Sequence, residues 1–227
     1  MIQGDQMTNQ KSKSKPHWRQ DPETVKADIL EIATSVFAEH GFAGARIDEI
    51  VGRTKTSKRM IYYYFGNKDQ LYLRVLEEAY LKLRNAERQL KLDELAPMDA
   101  IEQLIDFSFE YHRNHPEYVR LIASENIRKG SHINQSGTIP DLNNQIISHL
   151  QRICRSGIDQ GLFRTDVNAV ELHWMISAFC VFNVSNAATF SHLHGDTLFT
   201  DSGQASLKEM IKSTIAKAVT AIPTSLE

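Results

Sequence analysis

Residues 46–68 run RIDEIVGRTKTSKRMIYYYFGNK. Ile47, Ile50 and Val51 recur at helical spacing, and Asp48 and Glu49 fall in the first turn, where carboxylates favour the positive end of the helix dipole. This short helix ends near Thr54. Ser57, a residue type that caps helices, then opens a second one that runs to Phe65 and is stopped by Gly66. Short helix, tight turn, short helix is the pattern of a helix-turn-helix. The second helix carries Ser57, Lys58, Arg59 and three consecutive tyrosines, Tyr62, Tyr63 and Tyr64. One helix face cannot bury three adjacent rings, so at least one points outward beside a basic patch. An element that enters the DNA major groove must be narrow and must carry hydrogen-bond donors, and this one has both properties.

Upstream, residues 1–20 are polar and aperiodic, which predicts a flexible basic arm. Asp21-Pro22 reads as a cap with proline in the first turn. Val25, Ile29, Ile32, Ala33, Val36 and Phe37 then give a first helix that Gly41 should stop. Downstream, Asn67 to Gln70 forms a capping box for a long fourth helix bearing Leu76, Ala79, Tyr80, Leu83 and Leu90. A fifth helix follows Pro97, a sixth starts at Pro116, and residues 130–140 read as a loop. A seventh helix is expected over 141–161, an eighth over 167–193, and a ninth carrying Leu207, Met210, Ile211, Ile215, Ala218 and Ile222. No stretch alternates like a strand, so the expected fold class is all-α: a three-helix head joined by the long fourth helix to a larger helical bundle. The expected division is 1–20 arm, 21–67 DNA-binding head and 68–227 effector-binding and dimerisation body.

The 227-residue chain has a net charge of −2, but the charge is unevenly spread. Residues 1–68 hold 11 Lys/Arg against 8 Asp/Glu, and residues 69–227 hold 15 against 20. Positive potential is thus concentrated in the head, as a DNA partner requires. No apolar run approaches the roughly 20 residues of a membrane-spanning helix, and the first residues lack the apolar core of a secretory signal. A cytoplasmic protein without membrane contact is expected. Cys154 and Cys180 have no metal-ligand or redox spacing and read as buried thiols. Glycine-rich phosphate loops, Gly-x-Ser-x-Gly and Glu-x-x-His are missing, so no catalytic residues are assigned. The pairs His112/His115 and His192/His194 lack a convincing ligand set, and no metal or cofactor is expected.

The run GFAGARIDEIVGRTKTSKRMIYYYFGNKDQLYLRVLE, Gly41 to Glu77, resembles the DNA-binding head of the TetR family of bacterial repressors. That family's pattern is Gly-aromatic, a Thr-rich helix start, Ile-Ala, a Gly-Val-Ser turn, Leu-Tyr-x-Tyr/His-Phe and Lys-Glu-x-Leu. The resemblance implies that Ser57 caps the recognition helix, that Lys58, Arg59 and Met60 face the groove, and that Lys68 meets a phosphate. With Thr56, Tyr62, Tyr63 and Tyr64 these make the candidate DNA-binding set, and Ile61 and Phe65 are expected in the core. Three positions depart from the pattern. Ala45 stands where a capping Thr is usual, Lys55 replaces the turn glycine, and Arg59 replaces a small residue. Arg46 is the candidate to replace the lost phosphate contact, and a left-handed Lys55 would cost roughly 1–2 kcal/mol.

The resemblance further implies a homodimer on palindromic double-stranded operator DNA, a small-molecule effector held among the fourth to eighth helices, and a dimer interface on the last two. The segment WMISAFCVFNV, Trp174 to Val184, is apolar nearly all round and independently calls for a second covering surface. Val181, Val184, Ile211 and Ile215 are the interface candidates. Glu125, His112 and Asn183 are polar residues on apolar stripes; with Phe107, Tyr111, Trp174 and Phe179 they form the candidate effector pocket. The expected function is a repressor released from its operator by the effector. A helical-bundle enzyme or carrier keeping the head, and an activator or co-repressor-dependent regulator, remain alternatives.

Overall fold

The computed structural model describes residues 21–221, so the expected basic arm and Ile222 lie outside the described residues. The described residues form α1 Pro22–Gly44, α2 Ile47–Arg53, α3 Lys58–Phe65, α4 Lys68–Arg88, α5 Pro97–Asn114, α6 Pro116–Ile127, α7 Ile139–Asp159, α8 Ala169–Ser185, α9 Ala187–His194 and α10 Asp201–Val219, with 3-10 turns at Leu92–Glu94, Ile133–Gln135 and Thr197–Phe199. The fold is all-α. Its one β-type contact among the described residues is an isolated bridge between Phe163 and Thr220. No helix among them is long and apolar enough to cross a membrane.

Capping follows the local chemistry. Thr24 N–H donates to the Asp21 carboxylate at 3.3 Å, and Gln70 N–H donates to the Asn67 side chain at 2.9 Å. The same device starts α8, where Val170 and Glu171 N–H donate to Asn168 at 2.8 and 3.2 Å. Each bond satisfies a donor that the first helical turn leaves open.

Gly41 does not end the first helix. It adopts φ 66°, ψ 174° and kinks it, and one further turn continues to Gly44. A side chain here would be strained by the positive φ, and its Cβ would lie 3.3 Å from Ser124 Oγ of α6. The expected eighth helix is two helices: α8 stops at Ser185, and α9 begins after Asn186. The Asn186 amide donates to Ser185 Oγ at 2.8 Å and to Phe182 O at 3.5 Å, a local alternative to helix continuation. The final helix is therefore α10, and the described residues contain ten α-helices where nine were expected.

Two apolar cores organise the chain. The first joins α1, α2, α3 and the first half of α4 around Phe37, Ile50, Ile61, Phe65, Leu71 and Tyr72, and it takes in Leu121 of α6 and Ile139 of α7. The second joins α5, α7, α8 and α10 around Ile101, Ile105, Phe109, Leu150, Ile176, Ile211 and Ile215. Both free thiols, Cys154 and Cys180, are buried in this second core, and burial pushes the Cys180 thiol up to about 12. α4 runs from the first core past α5 and α7: its 21 residues make a rod of about 31 Å at 1.5 Å per residue.

Candidate nucleic-acid interface

α3 is rooted by two residues one turn apart. Ile61 and Phe65 are buried, and Tyr62 and Tyr63 between them point outward. Ser57 accepts from Met60 N–H at 3.3 Å, fixing the helix start, and Gly66 closes the end at φ 77°. Lys58 and Arg59 are exposed, Met60 is half-buried, Tyr62 is 40% exposed and Tyr63 76% exposed. Tyr64 is half-buried against the first core, with the Lys26 ammonium 5.6 Å from its ring centre. The three tyrosines thus divide into two outward rings and one packing ring, where their adjacency required only that at least one point outward.

The basic residues are not equivalent. Lys58 Nζ lies 2.8 Å from Asp48 Oδ1 of α2, and that hydrogen bond holds the ammonium pKa above the ordinary lysine range. Arg46, Lys55 and Arg59 are exposed, with no carboxylate within ion-pair distance among the described residues. Lys68 is half-buried at the start of α4, with Nζ 4.7 Å from the centre of the Phe42 ring; burial lowers its pKa, and the nearby Arg128 adds to the effect. Thr56 is half-buried in the turn before Ser57.

The departures around the turn resolve simply. Lys55 does not take a positive φ, so the turn bears no left-handed strain there. Ala45 is buried at the C-terminal end of α1, and Arg46 occupies the position before α2 with extended backbone and no side-chain cap bond. Asp48 and Glu49 in the first turn offset that missing cap through the helix dipole.

In the body, the seven candidate pocket residues do not share one cavity. Phe107, Tyr111 and His112 come together on α5, with ring centres 5.4 Å apart for Phe107–Tyr111 and 6.1 Å for Tyr111–His112. Trp174 is 70% exposed. Glu125 is buried but fully used: it accepts from the N–H groups of His132 and Ile133 at 2.6 and 3.1 Å and faces His132 Nδ1 at 3.2 Å. Asn183 pairs reciprocally with Gln204 of α10 at 2.8 and 3.1 Å. Phe179 and Asn183 border an apolar groove of about 500 Å³ between α8, α9 and α10.

The interface candidates also divide. Val181 and Val184 are half-buried against the small cluster of Leu83, Tyr118 and Val119. Ile211 and Ile215 are fully inside the second core, so they face inward and not toward a partner. α10 packs its Ile211–Ile215–Val219 row onto α5 and α8, a partner surface that a helical stripe alone does not identify.

Glu125, His112 and Asn183, the polar residues singled out on apolar stripes, are all buried, but other buried polar residues of the body were missed. Arg84 and Glu87, one turn apart on α4, form an ion pair with both side chains nearly inaccessible. His173 of α8 is mostly buried, and desolvation, reinforced by Arg84 and His112, pushes its pKa down to about 4. A signal existed for the first pair, since Arg84 follows Tyr80 and Leu83 on the inward stripe.

Comparison with known proteins matches this geometry twice. Residues 29–75, which hold α2, α3 and the start of α4, match the model described as bacterial regulatory proteins, tetR family; residues 97–215 match the tetracyclin repressor-like C-terminal domain. The chain belongs to the TetR family. As a TetR-family member it is a helix-turn-helix transcriptional regulator. It is 37% identical over 172 residues to the HTH-type transcriptional repressor NicS of Pseudomonas putida, covering 76% of this chain and 81% of that protein. It is 41% identical to the HTH-type transcriptional repressor SCO4008 of Streptomyces coelicolor over 49% of this chain and 54% of that protein. In fold, this TetR-family chain resembles the crystal structure of the transcriptional regulator SCO4942 of Streptomyces coelicolor, with a TM-score of 0.64 at 22% identity over 86% of this chain and 98% of that one.

Proposed function

We propose that this chain is a cytoplasmic repressor that binds palindromic operator DNA as a homodimer and releases it when a small molecule binds its body. One observation carries the reading: α3 is anchored by Ile61 and Phe65 while Arg59, Tyr62 and Tyr63 are left exposed for a groove, with Lys58 exposed beside them in its pair with Asp48. Arg46, Thr56, Ser57, Met60, Tyr64 and Lys68 frame that helix, and Arg46 and Lys68 are the phosphate contacts. Two relatives named as repressors support the sign of the response. Residues 21–67 act as the head, 1–20 as a basic arm, and 68–227 as the effector-binding and dimerisation body.

The dimer surface is the apolar face of α8 that the chain leaves uncovered, with Val170, Trp174 and Phe182, extended by Met210 of α10. Large exposed apolar faces of this kind mark association surfaces, and a two-fold dimer mirrors a palindromic site.

Selection of binding sites from random duplexes tests the whole reading. Enrichment of a palindrome with half-sites about one helical turn apart, and affinity falling steeply with salt, is the expected outcome. Enrichment of no site at moderate salt overturns it.

A further inference from the structure

Phe42 follows the Gly41 kink of α1, and two cations converge on its half-buried ring. Lys68 Nζ, from the first residue of α4, lies 4.7 Å from the ring centre, and the guanidinium carbon of Arg128, the residue after α6, lies 4.4 Å from it. A ring face holds a cation through its quadrupole and uses none of its N–H donors, so both groups are positioned without being consumed. Arg128 is half-buried with its Nε–H closed off, while its terminal nitrogens stay accessible and make no hydrogen bond among the described residues.

Neither cation has a carboxylate within ion-pair distance among the described residues. The acids of this region, Asp69 and Glu125, are engaged by His132. Asp69 Oδ1 lies 3.2 Å from His132 Nε2, and Glu125 accepts from the His132 backbone N–H at 2.6 Å and faces Nδ1 at 3.2 Å. Asp69 and Glu125 therefore match Lys68 and Arg128 in number and not in contact. Lys129 follows, exposed and likewise without a carboxylate partner among the described residues. Lys68 comes directly after the Gly66-Asn67 turn that ends α3, so Arg128 brings a donor from the body to a place beside the recognition helix. A phosphodiester carries one negative charge on two free oxygens and fits between two such groups.

We propose that Arg128, a body residue, belongs to the DNA interface: with Lys68 it clamps one operator phosphate beside the Phe42 ring, flanking the bases that α3 reads. The proposal rests on the DNA-binding reading above and adds a contact from the end of α6 to those of the head and the start of α4. Phosphate contacts fix register and orientation and carry no base information. The clamp therefore sets affinity and leaves base choice to α3.

The palindrome selected from random duplexes, titrated with the full chain at several salt concentrations, tests the clamp. Arg128→Met keeps an apolar stem against Phe42 and should weaken binding about tenfold, equally across single-base operator variants, and lower the salt slope by about 1 per protomer. Arg128→Lys keeps the charge and should recover most of the affinity. The double variant K68M/R128M should lose less than the product of the two single losses, because both groups act on one phosphate. Lys129→Met removes an equal charge one residue away and measures the general field of the surface; circular dichroism establishes that each variant is folded. A loss in R128M no larger than in K129M, or a loss without a change in salt slope, overturns the contact. Fully multiplicative losses in K68M/R128M overturn the shared phosphate. Wild-type binding with R128M unchanged overturns the clamp and leaves the DNA-binding reading standing, whereas selection of no site by the wild type overturns both.

Discussion

His132 Nε2 lies 3.2 Å from Asp69 Oδ1, which ties the loop after α6 to the first turn of α4. The other ring nitrogen faces Glu125 at 3.2 Å, and the ring packs edge-on against Tyr72 and 4.6 Å from Phe42 by ring centres. Glu125, His132 and Asp69 thus connect α6 of the body to the helix that begins beside the recognition helix. His132→Phe keeps the ring packing and removes both polar bonds, so the variant should lose about 1–3 kcal/mol. Urea denaturation measures it; a loss below about 0.5 kcal/mol would show that packing alone holds the loop.

Arg59 is exposed at the front of α3 with no carboxylate partner, which leaves its guanidinium free for a guanine edge. Arg59→Gly should cost about 1–3 kcal/mol at one base-pair position and relax specificity there. Titration of a set of single-base operator variants checks this. A uniform loss across all of them would place Arg59 on phosphate instead.

Ile215 is fully buried in the second core, so Ile215→Asp should unfold the body and not merely split a dimer. A carboxylate without a partner in that core costs several kcal/mol. Trp174→Asp, on the exposed face of α8, should leave each chain folded but yield monomers with weak operator binding. Light scattering with circular dichroism separates the two cases, and a fully dimeric Trp174→Asp protein would move the interface elsewhere.

Gly157 of α7 sits directly under the Phe163 ring, and a Cβ there would fall 2.1 Å from a ring carbon. Phe163 is itself buried, so the ring cannot simply swing out to solvent. Gly157→Ala should therefore destabilise by about 1–3 kcal/mol, despite the usual helix preference for alanine. A melting temperature at or above that of the wild type would mean that the ring relocates freely.

His173 should make the fold acid-sensitive. Its pKa falls from 6.5 to about 4 because burial disfavours the imidazolium, with Arg84 and His112 adding to that. The unfolded chain therefore binds this proton first as pH drops, and stability is lost progressively from about pH 6.5 down to about pH 4. The upper limit is about 3–4 kcal/mol, at about 1.4 kcal/mol per pH unit. Denaturation curves of wild type and His173→Gln at pH 7.5 and 5.0 should differ in pH slope, with the variant the flatter of the two.

The sequence alone determined the helical class, the rooting of α3 by Ile61 and Phe65, and the caps at Asp21, Ser57 and Asn67. These depend on spacing and on neighbours within about four residues, which local chemistry fixes. It also implied that at least one of the three tyrosines points outward. Tertiary structure decided what depends on distant partners. Glu125 and Asn183 look stranded on apolar stripes until His132 and Gln204 are folded onto them. Ile215 and Trp174 are both apolar residues on apolar helices, yet one is fully buried and the other 70% exposed, because α10 turns its stripe toward α5 and α8. Arg84 donates to Glu87 and to Asn143, 59 residues away, and no periodicity in a linear chain encodes which side chains will converge there.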